Sequence, residues 1–144
     1  MAHKGHTGEP LMKLSLKKLS IAALTIVMGI TMNVSANAQD VKKGKRVFMK
    51  CQICHRITAD ARKSTGPNLY TIFDRKAGAL EGYKYSKAML KAGAEGLVWT
   101  EENIRKQATN PRKFMKGSKM AFAGVKKAKD MDNLIAYMRQ ETSK

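Results

Sequence analysis

The amino-acid sequence predicts an all-α fold in a single domain, and three observations carry the prediction. Apolar residues recur at helical spacing after Asp40 and Asp130, and Thr100 followed by acids marks a further helix start. Runs rich in β-branched residues are few. Two long stretches, 56–85 and 111–125, are punctuated by Gly, Pro, Thr and Asn with little periodicity, so they must pack on something other than regular structure.

The first 38 residues are set aside before the fold is counted. From Met12 the chain reads as a secretion signal. Lys13, Lys17 and Lys18 form a basic start, Leu19 to Val34 is largely apolar and uncharged, and Ala36-Asn37-Ala38 is a small-residue cleavage site. The apolar run is short for a membrane span and Ser, Asn and Thr interrupt its end, so cleavage after Ala38 is expected, with no retained anchor. Met1 to Leu11, with His3 and His6, adds no apolar pattern and is assigned no function. The expected division is therefore an extension and signal peptide over 1–38 and one folded domain over 39–144.

The 144 residues carry 28 Lys and Arg against 11 acidic residues, a formal charge of +17. Residues 1–38 hold four of the lysines and one glutamate, so 24 basic and 10 acidic residues remain, a formal +14. The excess belongs to the domain and favours an anionic partner: nucleic acid, membrane headgroups or an acidic protein surface. Export and the lack of a recognition motif argue against nucleic acid.

Asp40 opens the first helix, where Val41, Val47 and Phe48 share a face and Lys42, Lys43, Lys45 and Arg46 point elsewhere. It ends near Cys51. Gly44 inside it costs about 1 kcal/mol relative to alanine, which a close helix crossing would explain. A short helix over Ser86 to Ala92 is expected to be broken by Gly93 and Gly96. Thr100, followed by Glu101, Glu102 and Asn103, starts a helix with acids where the macrodipole favours them, and Asn110-Pro111 ends it. Asp130 or a neighbour opens a terminal helix with Met131, Leu134, Ile135 and Met138 on one face.

The first helix leads into Cys51-Gln52-Ile53-Cys54-His55. This spacing is a covalent haem attachment site: two thiols three positions apart add to the two vinyl groups of one haem edge, and the adjoining imidazole reaches the iron. A redox dithiol would want a strand-and-helix setting, and a structural zinc site would lack its fourth ligand. A haem also gives the irregular stretches an apolar surface to wrap.

With the leader removed, His55 is the one remaining imidazole, so bis-histidine ligation within the chain is excluded. The sixth ligand is then methionine, lysine, tyrosine, water or nothing. Met131 and Met138 sit on a helical face, Met89 lies in the short helix, and Met49 precedes Cys51 too closely. Met115 and Met120 both lie in the irregular stretch, and composition does not choose between them.

In order and spacing, the residues from Asp40 to Ser143 resemble the class I c-type cytochromes of the mitochondrial-like and bacterial electron-carrier kind. The resemblance rests on Lys43-Gly44-Lys45 through Phe48, Cys51 to His55, Thr65-Gly66-Pro67-Asn68-Leu69, Arg75-Lys76, Tyr83-Lys84-Tyr85-Ser86, Trp99, Asn110-Pro111, Gly117 to Gly124 and Leu134 to Tyr137. It implies one cytochrome c domain of about four or five helices wrapped around a single haem c held by Cys51 and Cys54. It implies His55 as proximal ligand, Met120 as distal ligand, and the Pro67 carbonyl as acceptor from the other nitrogen of His55. Tyr85 and Trp99 would bond a haem propionate, with Arg75 moderating its charge; Trp99 also reads simply as a core indole. Gly44 would let the first and last helices cross against Tyr137.

The function so implied is a monomeric periplasmic one-electron carrier that is not itself an enzyme. It would move electrons from a cytochrome bc complex or dehydrogenase to a terminal oxidase, reaction centre or reductase. Lys45, Lys50, Arg112, Lys113, Lys119, Lys126 and Lys127 would ring the haem edge and steer acidic docking faces. Two departures concern the distal side: the family usually has tyrosine where Gln107 stands, bonding the methionine sulfur, and often proline where Lys116 stands. They imply a distal pocket of different polarity and a looser methionine loop, with Lys119 or Lys113 displacing the methionine at alkaline pH. Loss of the methionine-to-iron band on titration tests this. Gln107 is also the one feature favouring the rival function, a haem enzyme or gas-binding cytochrome with a labile methionine.

Overall fold

Two helices from opposite ends of the domain cross at a glycine, and the rest of the fold is laid around that crossing. The computed structural model describes residues 39–60 and 64–143; the leader read over 1–38 lies outside them. Five helices run in order: α1 (Val41–Gln52), α2 (Lys87–Ala94), α3 (Glu101–Thr109), α4 (Pro111–Phe114) and α5 (Ala128–Thr142). The β structure among the described residues is one isolated antiparallel bridge, Lys76 with Val98. The all-α expectation holds. No helix among these residues is long and apolar enough to cross a membrane.

Asp40 starts α1 by accepting from the Lys43 N–H at 2.9 Å and pairing with its ammonium at 3.0 Å, which satisfies one of the donors a helix start leaves free. Its own N–H donates to Asn133 Oδ1 of α5 at 2.8 Å. α1 buries Gly44 and Phe48 against the face of α5 that carries Leu134 and Tyr137, and the Phe48 and Tyr137 rings lie 5.3 Å apart. A Cβ at position 44 would stand 2.7 Å from Tyr137 Cβ and run into the Asn133 carbonyl. The glycine is there for the crossing, as expected.

α3 begins with Thr100 accepting from Asn103 N–H, and its first-turn acid organises a charged network with α5. Glu101 receives Arg105 at 3.0 Å and Arg139 at 2.9 Å, Arg105 reaches Asp132 at 2.7 Å, and the Arg139 guanidinium sits 4.2 Å over the Phe73 ring. Burial pushes the Glu101 carboxyl up, but the bonds from Arg139 and Arg105 together outweigh it and hold the group below its ordinary value of 4.5. Because the folded pKa is depressed, the stabilisation is complete above the unfolded pKa and is lost as the pH falls through the folded one. Glu101→Gln is therefore expected to cost about 1 kcal/mol at neutral pH, the scale of a partly exposed ion-pair network. The gap from the native protein should close in acid, as paired denaturant melts at pH 7 and below 4 would read.

The helix boundaries depart from expectation at two places. Gly93 does not break α2. It lies buried within the helix because a Cβ there would strike the Ala77 carbonyl, and Gly96, at φ +92°, is where the chain turns away. Pro111 ends α3 but also begins α4: Asn110 Oδ1 caps Lys113 N–H at 3.1 Å, and proline suits a first helical position, where no N–H is needed.

Candidate functional site

The Cys51 to His55 pentapeptide closes as one further turn on α1. The Cys51 carbonyl accepts from Cys54 N–H at 3.0 Å and from His55 N–H at 2.8 Å, so both thiols and the imidazole issue from one rigid helical end. Both thiols are free, Cys51 half-buried and Cys54 exposed. Burial pushes the Cys51 thiol up to about 11, which keeps it protonated.

The segment 64–69 grips the imidazole from behind. Gly66 N–H donates to the Cys54 carbonyl at 2.6 Å and Leu69 N–H to the Arg56 carbonyl at 2.7 Å. These bonds bring the Pro67 carbonyl to 2.8 Å from His55 Nδ1. A carbonyl only accepts, so Nδ1 carries the proton and Nε2 is left with its lone pair. Burial holds the ring below its ordinary pKa, partly opposed by the Pro67 bond, so it stays neutral and able to ligate. Gly66 packs against the ring itself: a Cβ there would lie 2.6 Å from Cε1 and 2.7 Å from Nδ1.

The methionine alternatives separate clearly. Met115 is a core residue, 6% exposed, as are Met131 and Met138. Met120 is half-buried, and its sulfur accepts from Gln107 Nε2 at 3.3 Å. Where the family usually has a phenol, Gln107 supplies an amide donor to the sulfur. The loop is also tied to α3: Val125 N–H donates to the Ala108 carbonyl at 2.9 Å and Lys126 Nζ to the Thr109 carbonyl at 3.1 Å. Gly124, at φ +94°, presses so closely on Thr109 that a Cβ would strike its carbonyl. Gln107 Oε1 is buried with no partner among the described residues, a cost that the bond from Nε2 partly offsets. Lys119 donates to the Lys84 carbonyl at 3.3 Å on the surface.

Arg75, Tyr85 and Trp99 gather through the loop at 68–85. Arg75 donates to the Asn68 carbonyl at 2.9 Å, and its own carbonyl accepts from Trp99 N–H at 2.9 Å. Burial pushes the Tyr85 phenol up while the Arg75 cation beside it opposes the shift. Trp99 is buried, with Phe114 6.4 Å away centroid to centroid. This cluster offers a cation and a phenol to an anionic group. Two free thiols on one helical turn, a neutral imidazole with Nε2 open, and a thioether held by an amide form a donor set that fits a covalent haem. The contact of Gly66 with the imidazole escaped the sequence reading; its signal is a glycine directly before the proline that orients His55.

The seven cations expected around the haem edge, from Lys45 to Lys127, are all exposed.

The cytochrome c family model matches residues 41–142. Over 99 residues the chain is 48% identical to a cytochrome c2 of Agrobacterium tumefaciens (strain II Chrys), an overlap of 69% of this chain and 89% of that protein. It is 43% identical to a cytochrome c-550 of Nitrobacter winogradskyi, covering 70% of this chain and 90% of the relative. A cytochrome c of Gibberella zeae is 40% identical, over 72% and 95% of the two chains.

Proposed function

The chain belongs to the cytochrome c family, and from that premise we propose that it is a periplasmic one-electron carrier with His55 and Met120 as axial ligands. Members carry haem c, here attached through Cys51 and Cys54, and are electron carriers that work with redox complexes, not enzymes. The bound haem supplies the one-electron iron couple.

The observation that carries the axial assignment is the pair of supporting bonds. Pro67 holds His55 by Nδ1 and leaves Nε2 to ligate, while Gln107 holds Met120 by its sulfur. A neutral imidazole and a soft thioether together favour a raised potential and a site closed to exogenous ligands. Gln107, the one feature that favoured the gas-binding rival from sequence, donates to the Met120 sulfur. Arg75, Tyr85 and Trp99 take the propionate role in this reading, their charge and donors offsetting the acid's burial.

Export follows from the leader, with cleavage after Ala38 and a folded domain over 39–144; the intact mass of protein from the periplasm should begin at Gln39. The donor is a cytochrome bc complex or dehydrogenase and the acceptor a terminal oxidase, reaction centre or reductase, met through the exposed cations. Docking of this kind is fast and screened by salt, so rates indifferent to ionic strength would defeat it.

Axial ligation is tested optically. The reduced native protein should show low-spin bands unchanged by carbon monoxide, and Met120→Ala should bind the gas. A native spectrum that shifts under carbon monoxide would return the chain to the gas-binding reading.

A further inference from the structure

Two exposed residues of the described chain that are not glycine hold left-handed backbone, and they lie three apart: Thr71 at φ +62° and Asp74 at φ +60°. Each is the third residue of a reverse turn. Ile72 N–H closes the first on the Leu69 carbonyl at 3.0 Å, and Arg75 N–H closes the second on the Ile72 carbonyl at 3.2 Å. A positive φ at that place suits glycine or asparagine, and a β-branched threonine there is strained. Strain of this kind persists only where the surroundings over-determine it.

The double turn ends on Arg75, one of the three residues gathered for the propionate. Backbone bonds hold that end: Asp74 N–H donates to the Trp99 carbonyl at 3.1 Å, Trp99 N–H to the Arg75 carbonyl at 2.9 Å, and the Arg75 guanidinium to the Asn68 carbonyl at 2.9 Å. A cation holds the middle. Phe73, half-buried between the two left-handed residues, carries the Arg139 guanidinium 4.2 Å above its ring. That guanidinium is itself fixed, since its Nε and Nη2 both donate to Glu101 Oε2, at 3.1 Å and 2.9 Å. α5 thus lays a flat cation, braced from α3, on the turn that aims Arg75.

Resting on the carrier reading, in which Arg75 serves a haem propionate, the geometry points to Arg139 as a positioning residue for Arg75. Its stacking on Phe73, together with the bonds to Trp99, offsets the strain at Thr71 and Asp74 and keeps the Arg75 cation in place. A cation beside the haem opposes the ferric charge and raises the potential. A contact on the surface of α5 therefore reaches the iron through a turn.

The haem-bearing native protein is compared with Arg139→Gln, Phe73→Leu, the two together, and Arg75→Gln. The readings are amide hydrogen exchange at Asp74 and redox titration in high salt, where the direct effect of a removed surface charge is screened. Arg139→Gln and Phe73→Leu should each speed exchange at Asp74 about threefold, the scale of a lost cation–π contact, and lower the potential. The double variant should go no further than Phe73→Leu alone. Phe73→Leu changes no charge, so its fall in potential reads position alone. Thr71→Gly added to Arg139→Gln should restore both readings, because glycine holds the turn without strain. The low-spin bands should persist in every variant; their loss would place the effect of Arg139 at the axial ligands and overturn the inference. Native Asp74 exchange in both single variants also overturns it, as does faster exchange with an unmoved potential, and the carrier reading survives either result. A native potential in Arg75→Gln defeats the propionate role of Arg75 and this inference together.

Discussion

Gly44→Ala is expected to destabilise the haem-bearing protein by about 3 kcal/mol, the upper range for forcing a methyl into a packed contact. The sign is the informative part. In an exposed helix interior the same change stabilises by about 1 kcal/mol, because alanine loses less backbone freedom on folding. Here the added carbon meets the Asn133 carbonyl and the Tyr137 Cβ, atoms of a helix backbone and its root that cannot swing aside as a flexible side chain would. α5 would have to withdraw, taking with it the Asp40 to Asn133 bond and the Phe48 to Tyr137 contact. Denaturant melts of the native and variant proteins read the effect, and a variant more stable than the native protein would show that the crossing is not tight.

Gly66→Ala should act on the imidazole instead of the fold. A methyl 2.6 Å from Cε1 and 2.7 Å from Nδ1 displaces the ring from the Pro67 carbonyl and removes the bond that sets its tautomer. Loss of such a supporting bond typically weakens a histidine's hold on its metal by about tenfold or more. The expected readouts are an upfield-shifted, rapidly exchanging Nδ1 proton by NMR of the reduced protein and a perturbed low-spin spectrum, with a smaller loss of global stability than at Gly44. A variant that keeps the native Nδ1 signal would show that the loop, not the ring, gives way. Comparing the two glycines separates fold from site, since one faces a helix and the other faces the His55 ring and the Cys54 carbonyl of the attachment turn.

What was legible in the sequence was what is decided locally. Asp40 and Thr100 cap helices within three residues of themselves, and the Cys51 to His55 turn is complete within five. Gly44 was legible because glycine inside an amphipathic helix has few other uses. What escaped was decided by atoms distant in the chain. Gly93 looks like a helix breaker until the Ala77 carbonyl is placed against it. Gln107 reads as the loss of a phenol until its amide is seen to reach the Met120 sulfur thirteen residues ahead. Periodicity and composition left Met115 and Met120 open and only the family resemblance implied Met120; the core adds that Met115 is packed inward while the Met120 sulfur takes a donor.

The α1 to α5 crossing joins residues 93 positions apart, and the same α1 ends in the cofactor turn. The helix that presents the two thiols therefore has no surface to lie on until the last fifteen residues of the fold are in hand. A chain shortened before Leu134 would offer its thiols and imidazole from an unsupported helix, so loss of the last eleven residues and failure to hold a cofactor near the N-terminus would be one and the same defect.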